Sequence, residues 1–149
     1  LDDVYVGGIL HDMGKIIFSS VHPELLGRIQ EFAKRREIDR DLFEDLSAGL
    51  NHAEIGALIA EKWNFPEILI AAIRFHHEPD RAPKEYSAVV NTVYLANALC
   101  DIEKGALVFE QLDRRALRDC NITSEQQLRQ VHERLKTAFE REREQRDNL

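Results

Sequence analysis

Apolar residues recur at spacings of three and four along almost the whole chain, which is the period of an amphipathic helix rather than of a strand. Residues that favour turns interrupt this pattern, among them Pro23, Asn64, Pro66 and Gly105. The chain holds only 7 glycines and 4 prolines, so the helices are joined by short connections. The pattern therefore predicts an all-α fold with about seven or eight helices and no sheet.

Local capping signals predict where these helices begin and end. We expect one continuous helix over residues 2–18 and a second one that begins at Pro23. Asn51 followed by Glu54 is typical of a helix start, although a helix continuous from Asp45 is also compatible with the pattern. Both alternatives lead to the same expectation, that residues 52–62 are helical.

The helix after residue 51 is expected to end at Asn64 and to bury one apolar face, formed by Ile55, Leu58, Ile59 and Trp63. Further helices are expected over residues 66–77, 84–103 and 109–119. Thr123 with Gln126 has the pattern of a capping box, which predicts the start of a last helix.

Length and composition predict a single soluble globular domain over residues 1–149, because 44% of the residues are hydrophobic and 32% are charged. The longest apolar run, residues 68–73, is too short to span a bilayer, and no export signal is evident. A cytoplasmic protein with no membrane partner is therefore expected. The chain begins with Leu1, and a strong motif follows within ten residues, which indicates a fragment of a longer protein.

The net charge of −7 argues against nucleic acid as a ligand, since nucleic-acid binding depends on clustered lysines and arginines that neutralise phosphates. The partners expected instead are proteins or attached signalling domains, together with a small phosphate-containing ligand.

Four of the six histidines lie in or next to apolar helical stretches: His11, His52, His76 and His77. Any one of them alone is more often a hydrogen-bonded core residue than a ligand. Asp12 follows His11 directly, and adjacent helical residues differ by about 100° in direction, so both can reach one site from different sides. Grouped imidazoles and carboxylates suit Fe, Mn, Zn or Ni, and the ligand types do not select among these metals.

Two further charged residues are candidates for the same site. Asp101 ends an otherwise apolar helical face, so its burial would be costly without a metal or histidine partner, whereas a solvated position at the helix end needs none. Lys15 lies one turn beyond His11, where its ammonium group can contact a phosphate oxygen or simply pair with Asp12.

Several segments together resemble a known family. The segment GGILHDMGK at residues 7–15 resembles the signature of the HD superfamily, an apolar helix that ends in His-Asp. Residues 51–57, 61–66 and 72–79 are similar to consecutive blocks of the HDOD family. The resemblance covers about residues 6–101, and the remaining third matches only in its helical character.

The resemblance implies a helical signalling module of bacterial regulatory proteins, related to the HD-GYP cyclic dinucleotide phosphodiesterases. It implies metal ligands at the positions that match those of the catalytic relatives: His11, Asp12, His52, His76, His77 and Asp101. It also implies that Lys15 helps to position a phosphate, so Asp12 and Lys15 are the candidate catalytic residues. The chain departs from the enzymes in two respects, since it has neither the Gly-Tyr-Pro element nor the ligand-bearing helix before the His-Asp doublet.

Three functional hypotheses follow. The first is a regulatory signal-transduction module of HDOD type with a metal site, lacking the N-terminal helices that such proteins usually carry. The second is a metal-dependent phosphohydrolase, that is, a cyclic dinucleotide or nucleotide phosphodiesterase. The third is a polar core in which the histidines satisfy one another without metal. The first two predict that the candidate ligands converge from several helices on one pocket.

Overall fold

The computed structural model describes residues 2–21 and 51–147. The described helices, in chain order, are α1 (Asp2–Leu10), α2 (Met13–Val21), α3 (His52–Lys62), α4 (Glu67–Phe75), α5 (Ser87–Glu103), α6 (Arg114–Asp119) and α7 (Glu125–Asp147). Short 3₁₀ turns at Pro79–Arg81 and Phe109–Gln111 precede α5 and α6. No strand occurs in these residues, so the predicted all-α fold is confirmed across them; the helix predicted after Pro23 lies outside them.

The expectation of one continuous helix over residues 2–18 was wrong, because the helix is interrupted at His11 and Asp12. The amide of His11 still donates to the Gly7 carbonyl at 2.9 Å, which closes the last turn of α1. The amide of Lys15 then donates to Asp12, three residues back, also at 2.9 Å. This tighter turn redirects the chain, so that α2 packs against α3 while α1 packs against α4 and α5.

Both ends of α3 follow the predicted local signals. Asn51 has extended backbone angles, and its side chain accepts a hydrogen bond from the Glu54 amide at 2.9 Å, so the helix begins there. At the other end Asn64 takes a left-handed conformation with φ of 55°. The amides of Asn64 and Phe65 donate to the carbonyls of Glu61 and Ala60, each at 3.0 Å, which is the hydrogen-bond pattern of a Schellman motif.

The predicted buried face of α3 was wrong. Leu58 and Trp63 are 48% and 59% exposed, and Ile55 and Ile59 are only partly buried. Apart from His52, the buried residues of this helix are instead small. They are Ala53, Gly56, Ala57 and Ala60. Small residues are required because α2 and α4 both pack closely on α3.

Glycines mark the point where α2 crosses α3. A Cβ atom on Gly14 would overlap the carbonyl oxygen of His52. One on Gly56 would lie 2.9 Å from Cγ2 of Ile73 and 3.2 Å from the Gly14 amide nitrogen. The backbones of α2 and α3 therefore approach more closely than side chains would allow, and this brings the turn at His11 and Asp12 onto the first turn of α3.

The second half of the domain is built around α5, whose apolar residues pack on α6 and on the first turn of α7. Asp113 caps α6 by accepting from the Ala116 amide at 2.7 Å. The cap of α7 lies one residue later than predicted, because Ser124 accepts from the Gln127 amide and Gln127 accepts from the Thr123 amide. None of the described helices is both long enough and apolar enough to cross a lipid bilayer.

Candidate metal centre

Four side chains from three separate segments meet at one point: Asp12, His52, His76 and His77. Each offers one ligand atom, and these four atoms all lie within 4.8 Å of one another. Asp12 belongs to the turn between α1 and α2, His52 is the first residue of α3, and the two adjacent histidines directly follow α4. The packing of α2 and α4 against α3 therefore assembles the group.

The distances within this group are those expected around a single ion. Nε2 of His52 lies 3.2 Å from Nε2 of His76 and 3.0 Å from Nε2 of His77. Oδ1 of Asp12 lies 3.4 Å from Nε2 of His52 and 3.6 Å from Nε2 of His76. Ligand atoms at the usual 2.0–2.1 Å from one divalent ion are about 3.0–3.4 Å from their neighbours. Four of the six distances in the group are thus close to those of a coordination shell.

Hydrogen bonding alone does not account for these contacts. Nδ1 of His76 lies 2.7 Å from the Ile73 carbonyl oxygen and donates to it, so Nε2 of the neutral ring carries a lone pair. Nε2 of His52 carries one hydrogen at most, yet it faces Nε2 of His76, Nε2 of His77 and Oδ1 of Asp12. A single hydrogen cannot make a good hydrogen bond to all three neighbours at once, whereas a cation between the atoms would attract every lone pair that faces it.

His11, also a predicted ligand, lies beside Asp12 and His76 but is not one of these four residues. Its Nδ1 donates to the Gly8 carbonyl at 2.7 Å, which leaves the lone pair on Nε2. Nε2 lies 3.6 Å from Oδ2 of Asp12, and the rings of His11 and His76 are 4.9 Å apart. Nε2 of His11 and Oδ1 of Asp12 are both buried without a hydrogen-bond partner. Buried polar atoms without a hydrogen-bond partner call for another partner, and a bound cation would be one.

The protonation states also fit a metal. Burial opposes ionisation of Asp12, but the close approach of His52, His76 and Lys15 outweighs it and holds the pKa of this carboxyl well below its usual range. Burial lowers the pKa of His76 to about 4, and burial together with the neighbouring His52 lowers the pKa of His77 to about 4. At neutral pH Asp12 is therefore a carboxylate and His76 and His77 are uncharged imidazoles, which are the forms that bind metals.

Lys15 lies at the edge of the group. Its Nζ is 2.9 Å from Oδ1 of Asp12, without hydrogen-bond geometry, and donates to Oδ2 at 3.1 Å. The pairing with Asp12, which the sequence analysis left as one of two alternatives, is therefore present.

Asp101 is a predicted ligand that the structure does not bring to the group. It lies in the last turn of α5, where Oδ1 is 3.3 Å from Nζ of Lys104 and Oδ2 accepts from Asn97 at 3.4 Å. Asp101 is partly exposed and has these local partners, so it needs no metal ion to offset a cost of burial. The second interpretation of Asp101, a solvated carboxylate at a helix end, describes it better.

An ion-pair cluster beside the site was missed by the sequence analysis. Arg74, near the end of α4, pairs with Glu54 and Glu61 of α3. The available signal was that these two acids are seven residues apart and so lie on one face of a helix, two turns apart. Their common partner on another helix could not be inferred from that spacing.

Comparisons with known proteins agree with this fold. The HDOD domain family matches residues 1–79. An uncharacterized protein of Treponema pallidum (strain Nichols) is 39% identical over 140 residues, which are 94% of this chain and 27% of that protein. Ribonuclease Y of Aquifex aeolicus (strain VF5) is 32% identical over 100 residues, which are 66% of this chain and 17% of that enzyme.

A crystal structure from Shewanella amazonensis SB2B, named "Putative phosphohydrolase", superposes with a TM-score of 0.66 at 26% identity. The match covers 91% of this chain and 49% of that one, so the chain spans half or less of the length of each relative described. The family match covers more than half of the chain and includes all four residues of the candidate metal centre. The chain belongs to the HDOD domain family.

Proposed function

We propose that the chain is a regulatory signalling module of HDOD type that holds one divalent transition-metal ion through Asp12, His52, His76 and His77. The observation that carries the proposal is the convergence of three imidazoles and one carboxylate, whose ligand atoms all lie within 4.8 Å of one another and in four of the six pairs at 3.0–3.6 Å. Three imidazoles with one carboxylate suit Fe, Mn, Zn or Ni. His11 is a further donor within reach of the same group.

Such an ion would join parts of the chain that are distant in sequence. The four ligands come from the turn between α1 and α2, from the start of α3, and from the end of α4. Occupancy of the site would therefore change how firmly these segments are held together, and an attached domain or protein partner can detect such a change. The absence of the Gly-Tyr-Pro element and the remote position of Asp101 support regulation over catalysis.

The direct test is the metal content of protein purified without chelators and without nickel resin. We expect close to one equivalent of a transition metal, or uptake of one equivalent of Co²⁺ or Zn²⁺ by metal-depleted protein. The variant His76→Gln, which removes a buried ligand, should bind much less. If the parent chain takes up none of Fe²⁺, Mn²⁺, Co²⁺, Ni²⁺ and Zn²⁺, the proposal is wrong and the polar-core hypothesis replaces it.

A second candidate function, a metal-dependent phosphohydrolase, is favoured by the name of the superposed Shewanella protein and by the position of Lys15. A bound ion supplies Lewis acidity and lowers the pKa of a coordinated water. The ammonium group of Lys15, 2.9 Å from Oδ1 of Asp12, is placed to attract a phosphate oxygen at the edge of the group. Nε2 of His11 is a buried acceptor that can hold a proton beside Asp12.

Hydrolysis of cyclic di-GMP and of bis(p-nitrophenyl) phosphate by Mn²⁺- or Fe²⁺-loaded protein separates the two candidates. The control is the double variant His11→Ala with Asp12→Ala. The regulatory proposal expects no difference in rate between the two proteins. Metal-dependent turnover that the double variant lacks would establish the phosphohydrolase instead. The single-domain organisation and the cytoplasmic location stay predictions.

A further inference from the structure

Arg74 occupies a bridging position beside the proposed metal site. Its side chain is 25% exposed, and it extends from the last turn of α4 toward α3. One terminal nitrogen donates to Oε1 of Glu61 at 2.9 Å, while Nε lies 3.5 Å from Oε2 of Glu54. Nε is buried and makes no hydrogen bond. One guanidinium group thus pairs with two carboxylates that are two turns apart on α3.

The ion pairs and the metal ligands are adjacent in sequence on both helices. Glu54 is two residues after His52, and Arg74 is two residues before His76. The contact between Arg74 and Glu54 therefore lies next to the 3.2 Å contact between Nε2 of His52 and Nε2 of His76. A displacement of α3 along α4 would break both contacts together.

The apolar interface between α3 and α4 is close but is formed on the α3 side by very small side chains. The buried residues of α3 at this interface are Ala57 and Ala60, which pack against Ile70 and Ile73 of α4. Alanine side chains allow a close approach, but they are short and interdigitate little, so they resist sliding weakly. Arg74 adds a directional contact across this interface, because one guanidinium nitrogen donates to Glu61 while Nε lies beside Glu54.

We infer that Arg74 is a positioning residue for the metal site. It touches none of the four ligands, and it acts by holding α3 against α4 so that His52 stays within reach of His76 and His77. This inference rests on the proposed metal-binding function. Beyond that function, it states that charges outside the four ligands contribute to the metal affinity of the site.

The test compares Co²⁺ binding by the parent chain, Arg74→Met and Glu61→Gln. Methionine keeps much of the apolar length of arginine but cannot pair with carboxylates. Glu61→Gln removes one charge from a largely exposed position, so it folds even if Arg74→Met does not. The control is Arg81→Met, which breaks the exposed pair between Arg81 and Glu78 close to His77 in sequence. Binding is measured by competition with a chromophoric chelator, and the visible spectrum of Co²⁺ reports the geometry of its ligands.

We expect Arg74→Met to weaken Co²⁺ binding on the order of 10-fold and to change the Co²⁺ spectrum. Glu61→Gln should have a smaller effect in the same direction, Arg74→Lys should restore part of the affinity, and Arg81→Met should match the parent. If Arg74→Met and Glu61→Gln lower the unfolding temperature but keep the parent affinity and spectrum, the role of Arg74 is only structural and the inference is wrong. If the parent binds no metal, the proposed function fails and this inference fails with it.

Discussion

Nε2 of His52 and Nε2 of His76 lie 3.2 Å apart although 24 residues separate the two histidines in sequence and both rings are fully buried. Buried nitrogens that face each other at this distance need either a shared proton or a shared cation. The Nδ1 of His76 already donates to a backbone carbonyl, so His76 brings a lone pair to this contact. The predictions below follow from this relationship and from the packing that produces it.

Replacement of His52 by alanine should abolish tight metal binding. His52 contacts every other member of the group, so its loss should reduce Zn²⁺ or Co²⁺ affinity by more than about 100-fold, a larger effect than that of removing a supporting residue. Isothermal titration of metal-depleted protein measures this. His132→Ala on α7 is the matched control, because His132 pairs with Glu103 away from the group. The metal affinity of this variant should equal that of the parent.

Gly14→Ala should disrupt the site through packing alone. The added methyl group overlaps the carbonyl oxygen of His52, so α2 must move away from α3. We expect a loss of roughly 1–3 kcal/mol in the free energy of unfolding, together with weaker metal binding. Urea denaturation and metal titration measure the two effects.

Gly8→Ala is the control for this prediction, because a Cβ atom at Gly8 meets nothing within 4 Å and the residue lies inside helix α1. It should raise the free energy of unfolding by roughly 0.5–1 kcal/mol. Equal stabilities for the two alanine variants would contradict the close contact between Gly14 and His52.

The metal-free protein should lose stability in mild acid. The pKa of His76 is lowered by burial from 6.5 to about 4, so the unfolded chain binds a proton at higher pH than the folded chain does. The contribution of His76 to stability is therefore constant above about pH 7 and falls as the pH drops from 6.5 toward 4, by on the order of 3 kcal/mol. Urea midpoints at pH 7.5, 6.0 and 4.5 test the expectation. A midpoint that rises on acidification would show that His76 is protonated in the folded protein.

Lys15→Met should strengthen metal binding and weaken the metal-free fold. The ammonium group of Lys15 neutralises Asp12 and lies 2.9 Å from the oxygen that a metal would use, so it competes with an ion for that carboxylate. We expect a several-fold gain in Co²⁺ affinity and a lower unfolding temperature without metal. Lys104→Met removes a comparable pair, the one with Asp101, and should leave the affinity unchanged. A changed affinity in that control would show that Asp101 contributes to the site after all.

Features that depend on one turn of chain were predictable from sequence. Asn51 starts α3 because its side chain reaches an amide three residues ahead, and Asn64 ends that helix because asparagine tolerates a left-handed backbone. The histidines that form the candidate site were also found in this way, since their residue types and motif context are visible along the chain. For the two asparagines the decisive interactions lie within the motif itself, whereas for the histidines only the residue types and their motif context could be read from the sequence.

Features that depend on which surfaces meet were decided only by the tertiary structure. Leu58 and Trp63 are exposed because the close packing of α2 and α4 occupies the alanine face of α3, and periodicity does not say which face a neighbour will cover. Asp101 ends an apolar stripe like a ligand, yet α5 carries it to Lys104 and Asn97 rather than to the histidines. The chain itself specified the ligand types and the helices that carry them. The group of four formed only where Gly14 and Gly56 let two backbones approach and so brought side chains from distant segments within reach of one ion.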